Sequence, residues 1–296
     1  MTSLVPSGAL PLGLGCSRLG SVGGATPNQS RALLRRAIDE GVRFFDTSNI
    51  YGQGDSERLL AEVLADHDDA VIASKGGKFV SWQRRMLLPL KEVIVASAQR
   101  SPATQDRVAK VRARPMPTRW DAGFLTKSLE GSLRRLKRER VDVFLLHSPS
   151  IDVIQAGDAM SALDRARAAG KIGLAGVSVD DSETALACLA DTRVKVLQIP
   201  LLPRANEYAE VLDQAARARV PVIAREILGG SSNQQRIPST AARARICELV
   251  RDPLVSIPLV GATRIATLTD SAEAARIALQ PDTNVTQPPH ESNPID

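Results

Sequence analysis

Gly41-Val42-Arg43-Phe44-Phe45-Asp46-Thr47-Ser48-Asn49-Ile50-Tyr51 packs a helix end, a strand and a polar loop into one short stretch. Asp39-Glu40-Gly41 is the glycine stop expected just past the end of a helix, here over residues 28–40. The apolar run that follows predicts a strand over 44–47, and the chain then turns polar and carries a tyrosine. The same sentence is repeated along the chain. Strands are predicted over 12–15, 44–47, 70–74, 141–147, 172–177, 196–199, 221–224 and 254–260. Helices are predicted over 28–40, 56–65, 122–138, 159–169, 181–190, 205–218, 239–250 and 264–278. Eight strand–helix units predict a single-domain α/β fold, a (β/α)8 TIM barrel over residues 1–280. A doubly wound open sheet is the competing architecture, but no G-x-G-x-x-G opens a helix after a strand. Residues 281–296, rich in Pro, Asn and Asp, read as a disordered tail.

In a barrel of this kind, reactive groups sit at the carboxyl ends of strands. Asp46, Lys75 and His147 fall there on the second, third and fourth strands, with Tyr51 on the loop after the second. The chain has only two tyrosines and three histidines, so this meeting is informative. A free phenol has a pKa of about 10, too high to exchange protons readily near neutrality. An ammonium beside it favours the phenolate, and a buried carboxylate keeps that ammonium charged. Tyr51 is then the acid, Lys75 its tuner, Asp46 the anchor of Lys75, and His147 a donor that positions or polarises a carbonyl oxygen. Taken singly, each has a plain structural role: a turn cap, a half-buried ring, a surface charge. Together they form a proton-donating site suited to a carbonyl substrate.

The 296 residues, 43% of them apolar, suffice for a full core. Three scattered cysteines without metal spacing fit a reducing cytoplasm and predict no metal site. No apolar run reaches the roughly 18 residues of a membrane span, so a soluble, cytoplasmic protein is expected. The net charge of +5 is uneven. Ten Lys/Arg against two Asp/Glu between Lys78 and Arg119 make a local +8, which leaves −3 elsewhere. This segment after the third strand is far longer than an ordinary βα connection. It reads as a surface excursion with a small apolar cluster, or as a lid that helps choose the substrate. Nucleic-acid binding is not expected, because no such motif accompanies the charge. Gly76-Gly77 reads as a turn that also lets the backbone pass close to a ligand.

The stretch from Gly41 to Gly52, followed by Ser56-Glu57 and Leu59-Leu60, resembles the aldo-keto reductase pattern G-x-R-x-x-D-T-A-x-x-Y-G-x-S-E, interrupted at Gly54-Asp55. Ala73-Ser74-Lys75 and Leu145-Leu146-His147-Ser148 resemble the strands that carry that family's lysine and histidine. The resemblance runs from about Leu10 to Ala278 and implies the same barrel. It implies NADPH, or less often NADH, as hydride donor and an aldehyde or ketone as small-molecule substrate. It assigns Ser178 and Gln198 to the nicotinamide amide, with Asp46 nearby, and stacks Arg225 on the ring. Ile227, Leu228 and Gly229 follow in the same seventh-strand segment. Gly261, Thr263, Arg264 and Thr267 resemble the adenosine-phosphate site, with Arg264 supplying charge for a 2′-phosphate. Cys16 and Ser17, after the first strand, read equally as cofactor contacts and as packing.

Two departures stand out. Val179 replaces the asparagine that often follows the family serine, and Asp270-Ser271 stands where a Glu-Asn pair commonly recognises adenine. The altered adenine pair and the basic segment leave a non-catalytic NADPH-binding sensor open, and the same four residues would also serve a redox-neutral epimerase. Substrate identity and oligomeric state are not legible in the sequence.

Overall fold

Period-two alternation sets the inside of this protein. The computed structural model describes residues 4–21, 24–81, 116–203, 206–229 and 237–280. Eight parallel strands close into a barrel in sequence order: β1 (Leu10–Gly15), β2 (Val42–Asp46), β3 (Val71–Gly76), β4 (Val141–His147), β5 (Ile172–Ser178), β6 (Val196–Pro200), β7 (Val222–Arg225) and β8 (Ile257–Gly261). Around them lie α1 (Pro27–Asp39), α2 (Asp55–Val63), α3 (Ala122–Leu136), α4 (Ile151–Ala156), α5 (Asp158–Ala168), α6 (Ser182–Leu189), α7 (Ala209–Ala218), α8 (Ser239–Arg251) and α9 (Ile265–Ala278). Among the described residues, no helix is long and apolar enough to cross a membrane.

The local causes are ordinary ones. Thr26 and Gln29 form a reciprocal capping box at the start of α1, with Pro27 in its first turn. Gly41, at φ 83°, turns the chain out of α1 and into β2. One short helix, α4, was not expected from the sequence. Gly157, at φ 74°, separates it from α5.

Alternate strand residues point into the barrel and stack in layers. Phe44, Ala73, Val143, Leu145, Val196, Ile223, Ile257 and Leu259 form one buried apolar cluster, with Leu4 packed against them. The larger cluster lies between strands and helices and includes Leu12, Leu14, Phe45, Ile72, Phe144, Leu146 and Leu197. Large inward side chains need small neighbours. A Cβ on Gly13 would lie 2.4 Å from Leu259 Cδ2, and one on Gly176 would lie 2.0 Å from the Val196 carbonyl oxygen.

Two steps beyond the inner cluster on the same strands come Asp46, Lys75, His147, Gln198 and Arg225, and Ser178 lies four beyond Leu174 on β5. Period two therefore turns an apolar layer into a polar one at the carboxyl end. Register levels them: His147 pairs with Ser178, and Ser178 pairs with Gln198. β3 runs to Gly76, two residues beyond the sequence reading, and this extension carries Lys75 inside the barrel.

The segment after β3 leaves and returns as a stitched pair. Lys78 bridges Thr118 in antiparallel fashion, and Phe79 N–H donates to the Pro117 carbonyl at 3.0 Å. A Cβ on Gly77, at φ 105°, would lie 2.0 Å from the Trp120 ring. The glycine thus makes room for the tryptophan ring. Residues 82–115, which include most of the basic excess, lie outside the described residues, as does the tail 281–296.

Candidate active site

Lys75 is 1% exposed, and its ammonium is the hub of the polar layer. Nζ donates to both Asp46 carboxylate oxygens at 2.7 Å and to the Thr47 carbonyl at 2.9 Å, and it also hydrogen-bonds the Tyr51 hydroxyl. Gln198 Nε2 donates to Asp46 Oδ1 at 2.8 Å, and Ser178 Oγ donates to Gln198 Oε1 at 2.8 Å. The buried carboxylate is therefore satisfied by one cation and one amide. Burial works against the charge on Lys75, but Asp46 and Tyr51 outweigh it and hold its pKa above the usual lysine value.

Tyr51 sits on a 3-10 turn (Tyr51–Gly54) that places its ring beside the Lys75 ammonium, 5.1 Å from the ring centroid. Hydroxyl contacts pin the connection below it: Thr47 Oγ1 meets Ser56 Oγ at 2.8 Å, and Ser56 Oγ donates to the Cys16 carbonyl at 3.0 Å. Glu57, fully buried, accepts from Arg135 Nε at 2.6 Å and Ser74 Oγ at 2.7 Å, tying α2 to α3 and β3. This gives the Ser56-Glu57 motif a structural role. The net shift of the Tyr51 phenol is upward, because burial is the largest influence and Asp46 adds to it, while Lys75 pulls down. Lys75 lies beside the ring, yet Tyr51 keeps its proton at neutral pH.

His147 closes the quartet. Its ring meets that of Tyr51 edge-on at 5.9 Å, and Ser48 Oγ lies 3.2 Å from Nδ1. Burial, followed by the cations Lys75, Lys78 and Arg225, drives its pKa well below the usual histidine value, so the ring is neutral.

A cavity of about 530 Å³ opens beside these groups at the carboxyl end of the barrel, with Lys75 buried outside its lining. Asp46, Tyr51, His147, Ser178, Gln198, Arg225, Ile227, Leu228, Gly261, Thr263 and Ser17 all line it. Cys16 does not. Its side chain is fully buried in the core, and burial pushes its thiol far up. Gly229 is buried beside the segment but outside the lining. Arg225 is held by Asp180 and Glu226, and its Nη2 donates to the Val179 carbonyl at 2.7 Å. Backbone at Val179 is therefore used even though its side chain offers no amide.

Arg264, Thr267, Asp270 and Ser271 stand apart from the cavity, on or just before α9. Arg264 is exposed. Asp270 is paired with Arg243 of α8, and Ser271 Oγ donates to the Thr267 carbonyl at 2.8 Å within the helix.

The sequence reading missed Lys78, Ser148, Asp180 and Glu226, which also line the cavity. Each lies within three residues of a named one, and proximity to a strand end was the available signal. Ser148 and Glu226, at φ 55° and 58°, are left-handed residues directly after His147 and Arg225. Such backbone costs about 1 kcal/mol or more and clusters at functional sites.

A family model, the aldo/keto reductase family, matches residues 11–245. The chain belongs to the aldo/keto reductase family. Among its relatives are a 6-dehydroglucose reductase of Novosphingobium aromaticivorans, 26% identical with 90% of this chain and 86% of that one covered. A D-threo-aldose 1-dehydrogenase of Pseudomonas sp. is 24% identical, with 92% and 91% covered. Among solved structures, an aldo-keto reductase of Klebsiella pneumoniae in complex with NADPH superposes with a TM-score of 0.67 at 22% identity. That match covers 93% of this chain and 87% of the other. In this aldo/keto reductase the quartet read from the sequence is one contiguous site.

Proposed function

We propose that this aldo/keto reductase is an NADPH-dependent enzyme that reversibly reduces the carbonyl of a sugar-like hydroxyaldehyde or hydroxyketone to an alcohol. The observation that carries the reading is a tyrosine lining the cavity with a buried ammonium, anchored on Asp46, 5.1 Å from its ring centroid. Tyr51 gives its proton to the carbonyl oxygen. Lys75, fixed by Asp46, stabilises the phenolate that remains. His147 flanks the same oxygen position. The sugar-like class rests on the relatives' names and on the polar lining.

The cavity suits a nicotinamide dinucleotide. Ser178 and Gln198, level on adjacent strands, would hold the carboxamide, and Arg225 would lie against the ring. Arg225 Nε is buried without a hydrogen-bond partner, so the site has an unsatisfied donor to offer. Gly261 and Thr263 lead to the exposed Arg264 at the start of α9, where an adenosine phosphate would find charge and a helix N-terminus. A reduced nicotinamide, when bound there, supplies the hydride.

The test is NADPH consumption across aldoses and short hydroxyaldehydes, with product analysis. One alcohol formed per NADPH consumed is the expected result. Tight NADPH binding without turnover on any carbonyl would overturn the reading in favour of a sensor. An epimerised product without net NADPH loss would overturn it in favour of a redox-neutral isomerase.

A further inference from the structure

Three carboxylates line the cavity, and each is matched to a cation: Asp46 to Lys75, and Asp180 and Glu226 both to Arg225. Lys78 lines it too, half-buried. Among the described residues its ammonium has neither a hydrogen bond nor an ion pair. Burial is the largest influence on this amine and lowers its pKa, while the charge of Asp180 opposes that shift.

The backbone around Lys78 is fixed. Its carbonyl accepts from Asn49 Nδ2 at 3.0 Å, the residue bridges Thr118, and Arg119 N–H donates to the Gly77 carbonyl at 2.8 Å. The side chain thus enters from a set point after β3, next to the strand that ends in His147. Its charge is felt there, because Lys75, Lys78 and Arg225 together depress the His147 pKa. The residues that would hold the nicotinamide, Ser178, Gln198 and Arg225, lie farther round the ring on β5, β6 and β7. A half-buried ammonium without a partner carries a desolvation cost. An incoming anion offsets that cost more fully than a neutral hydroxyl does.

We propose that Lys78 recognises an anionic group on the substrate, a carboxylate or a phosphate ester, borne on the same short carbon chain as the reacting carbonyl. The substrate class narrows to an acidic hydroxyaldehyde or hydroxyketone. That class rests on the reductase reading, whereas the anion site does not. Lys78 sets specificity and takes no part in the proton transfer. Reduction of 2-hydroxy-3-oxopropanoate, by hydride to its aldehyde carbon and the Tyr51 proton to its oxygen, leaves glycerate. Reduction of glyceraldehyde 3-phosphate in the same way leaves glycerol 3-phosphate.

These two product anions test the site without turnover, since neither has a carbonyl to reduce. Isothermal titration calorimetry reads their binding to the unliganded protein and to the protein saturated with NADPH. Lys78→Met is expected to weaken the tighter of the two about tenfold or more, and Lys78→Arg, which keeps the charge, to hold it within about threefold. A wild type that binds neither anion, or a folded Lys78→Met that binds both as the wild type does, would overturn the proposal. So would a loss of NADPH affinity in Lys78→Met as large as the loss for the anions, because Lys78 would then serve the cofactor.

Turnover names the anion. The kcat/KM values of 2-hydroxy-3-oxopropanoate and of glyceraldehyde 3-phosphate are set against that of glyceraldehyde, which shares their carbon chain without the charge. The preferred acid tells carboxylate from phosphate ester. Its advantage over glyceraldehyde is expected to be about tenfold in the wild type and to vanish in Lys78→Met through KM. No advantage for either acid, or one that persists in Lys78→Met, would overturn the substrate class. Absence of turnover on all three would count against the reductase reading alone, because anion binding still decides the site.

Discussion

The two halves of the barrel mouth are built differently. On the β2–β4 side, Asp46, Lys75, Tyr51 and His147 are each held by named partners. On the β8–α9 side, Arg264 is exposed, Asp270 is turned to Arg243, and Ser271 is bonded within its own helix. One side is pre-organised and buried; the other is a solvated surface whose charges have partners of their own. Proton transfer depends on exact placement of a few atoms, whereas phosphate attraction tolerates a looser arrangement. Damage to the first side should therefore be severe, and damage to the second graded.

The largest effect is expected for Lys75→Met, which leaves Asp46 buried with only Gln198 as a side-chain partner. Unfolding in urea should report a loss of about 3–5 kcal/mol. A loss under 1 kcal/mol would mean that the pair is not the hub described.

His147 gives the catalytic side a pH signature. Its folded pKa lies below the ordinary value of about 6.5, so acid favours the unfolded chain, where the ring binds its proton freely. The contribution is complete above pH 6.5 and is lost as pH falls below it. Between pH 7 and 5.5 the wild type should lose about 1 kcal/mol more stability than His147→Gln. Parallel losses in urea titrations would contradict this.

Arg264→Ala tests the other side. It should weaken NADPH binding roughly tenfold, about the worth of one charge-assisted contact, while leaving NADH binding within about twofold. Equal losses for both would remove Arg264 from the phosphate site. The smallest effect is expected for Asp270→Ala, which frees Arg243 on the β8–α9 side. The exposed pair is worth under about 1 kcal/mol, so stability barely changes and NADPH affinity moves by less than about threefold. A tenfold or larger change would show that Asp270 itself contacts the cofactor.

Much of this contrast was legible in the sequence because period two links core to site. Once Phe44 and Leu145 are read as inward, Asp46 and His147 must follow on the same face two residues later. β4 ran as expected, from Val141 to His147. β8 began at Ile257, not at 254, because Leu254 N–H donates to the Asp252 side chain and Val255 N–H to its carbonyl, forming a turn first. Cys16 lies at a strand end, as expected, yet faces the core. Alternation alone does not give the side chain's direction once the strand has ended. The Ser48–His147 contact joins residues 99 apart in sequence, and the 3-10 turn under Tyr51 needs Gln53 left-handed at φ 62°. Neither leaves a periodic trace. The β8–α9 side was harder still, since an ion pair such as Arg243–Asp270 depends on how two helices meet.

The central claim is that Tyr51 supplies the proton from a site that is separate from cofactor affinity. The direct measurement is Tyr51→Phe, with NADPH affinity from fluorescence titration set beside single-turnover reduction of 2-hydroxypropanal. Loss of a positioned proton donor predicts a fall of about 10²–10⁴-fold in the reduction rate, with the dissociation constant unchanged within about twofold. A rate near that of the wild type with affinity intact would contradict the account.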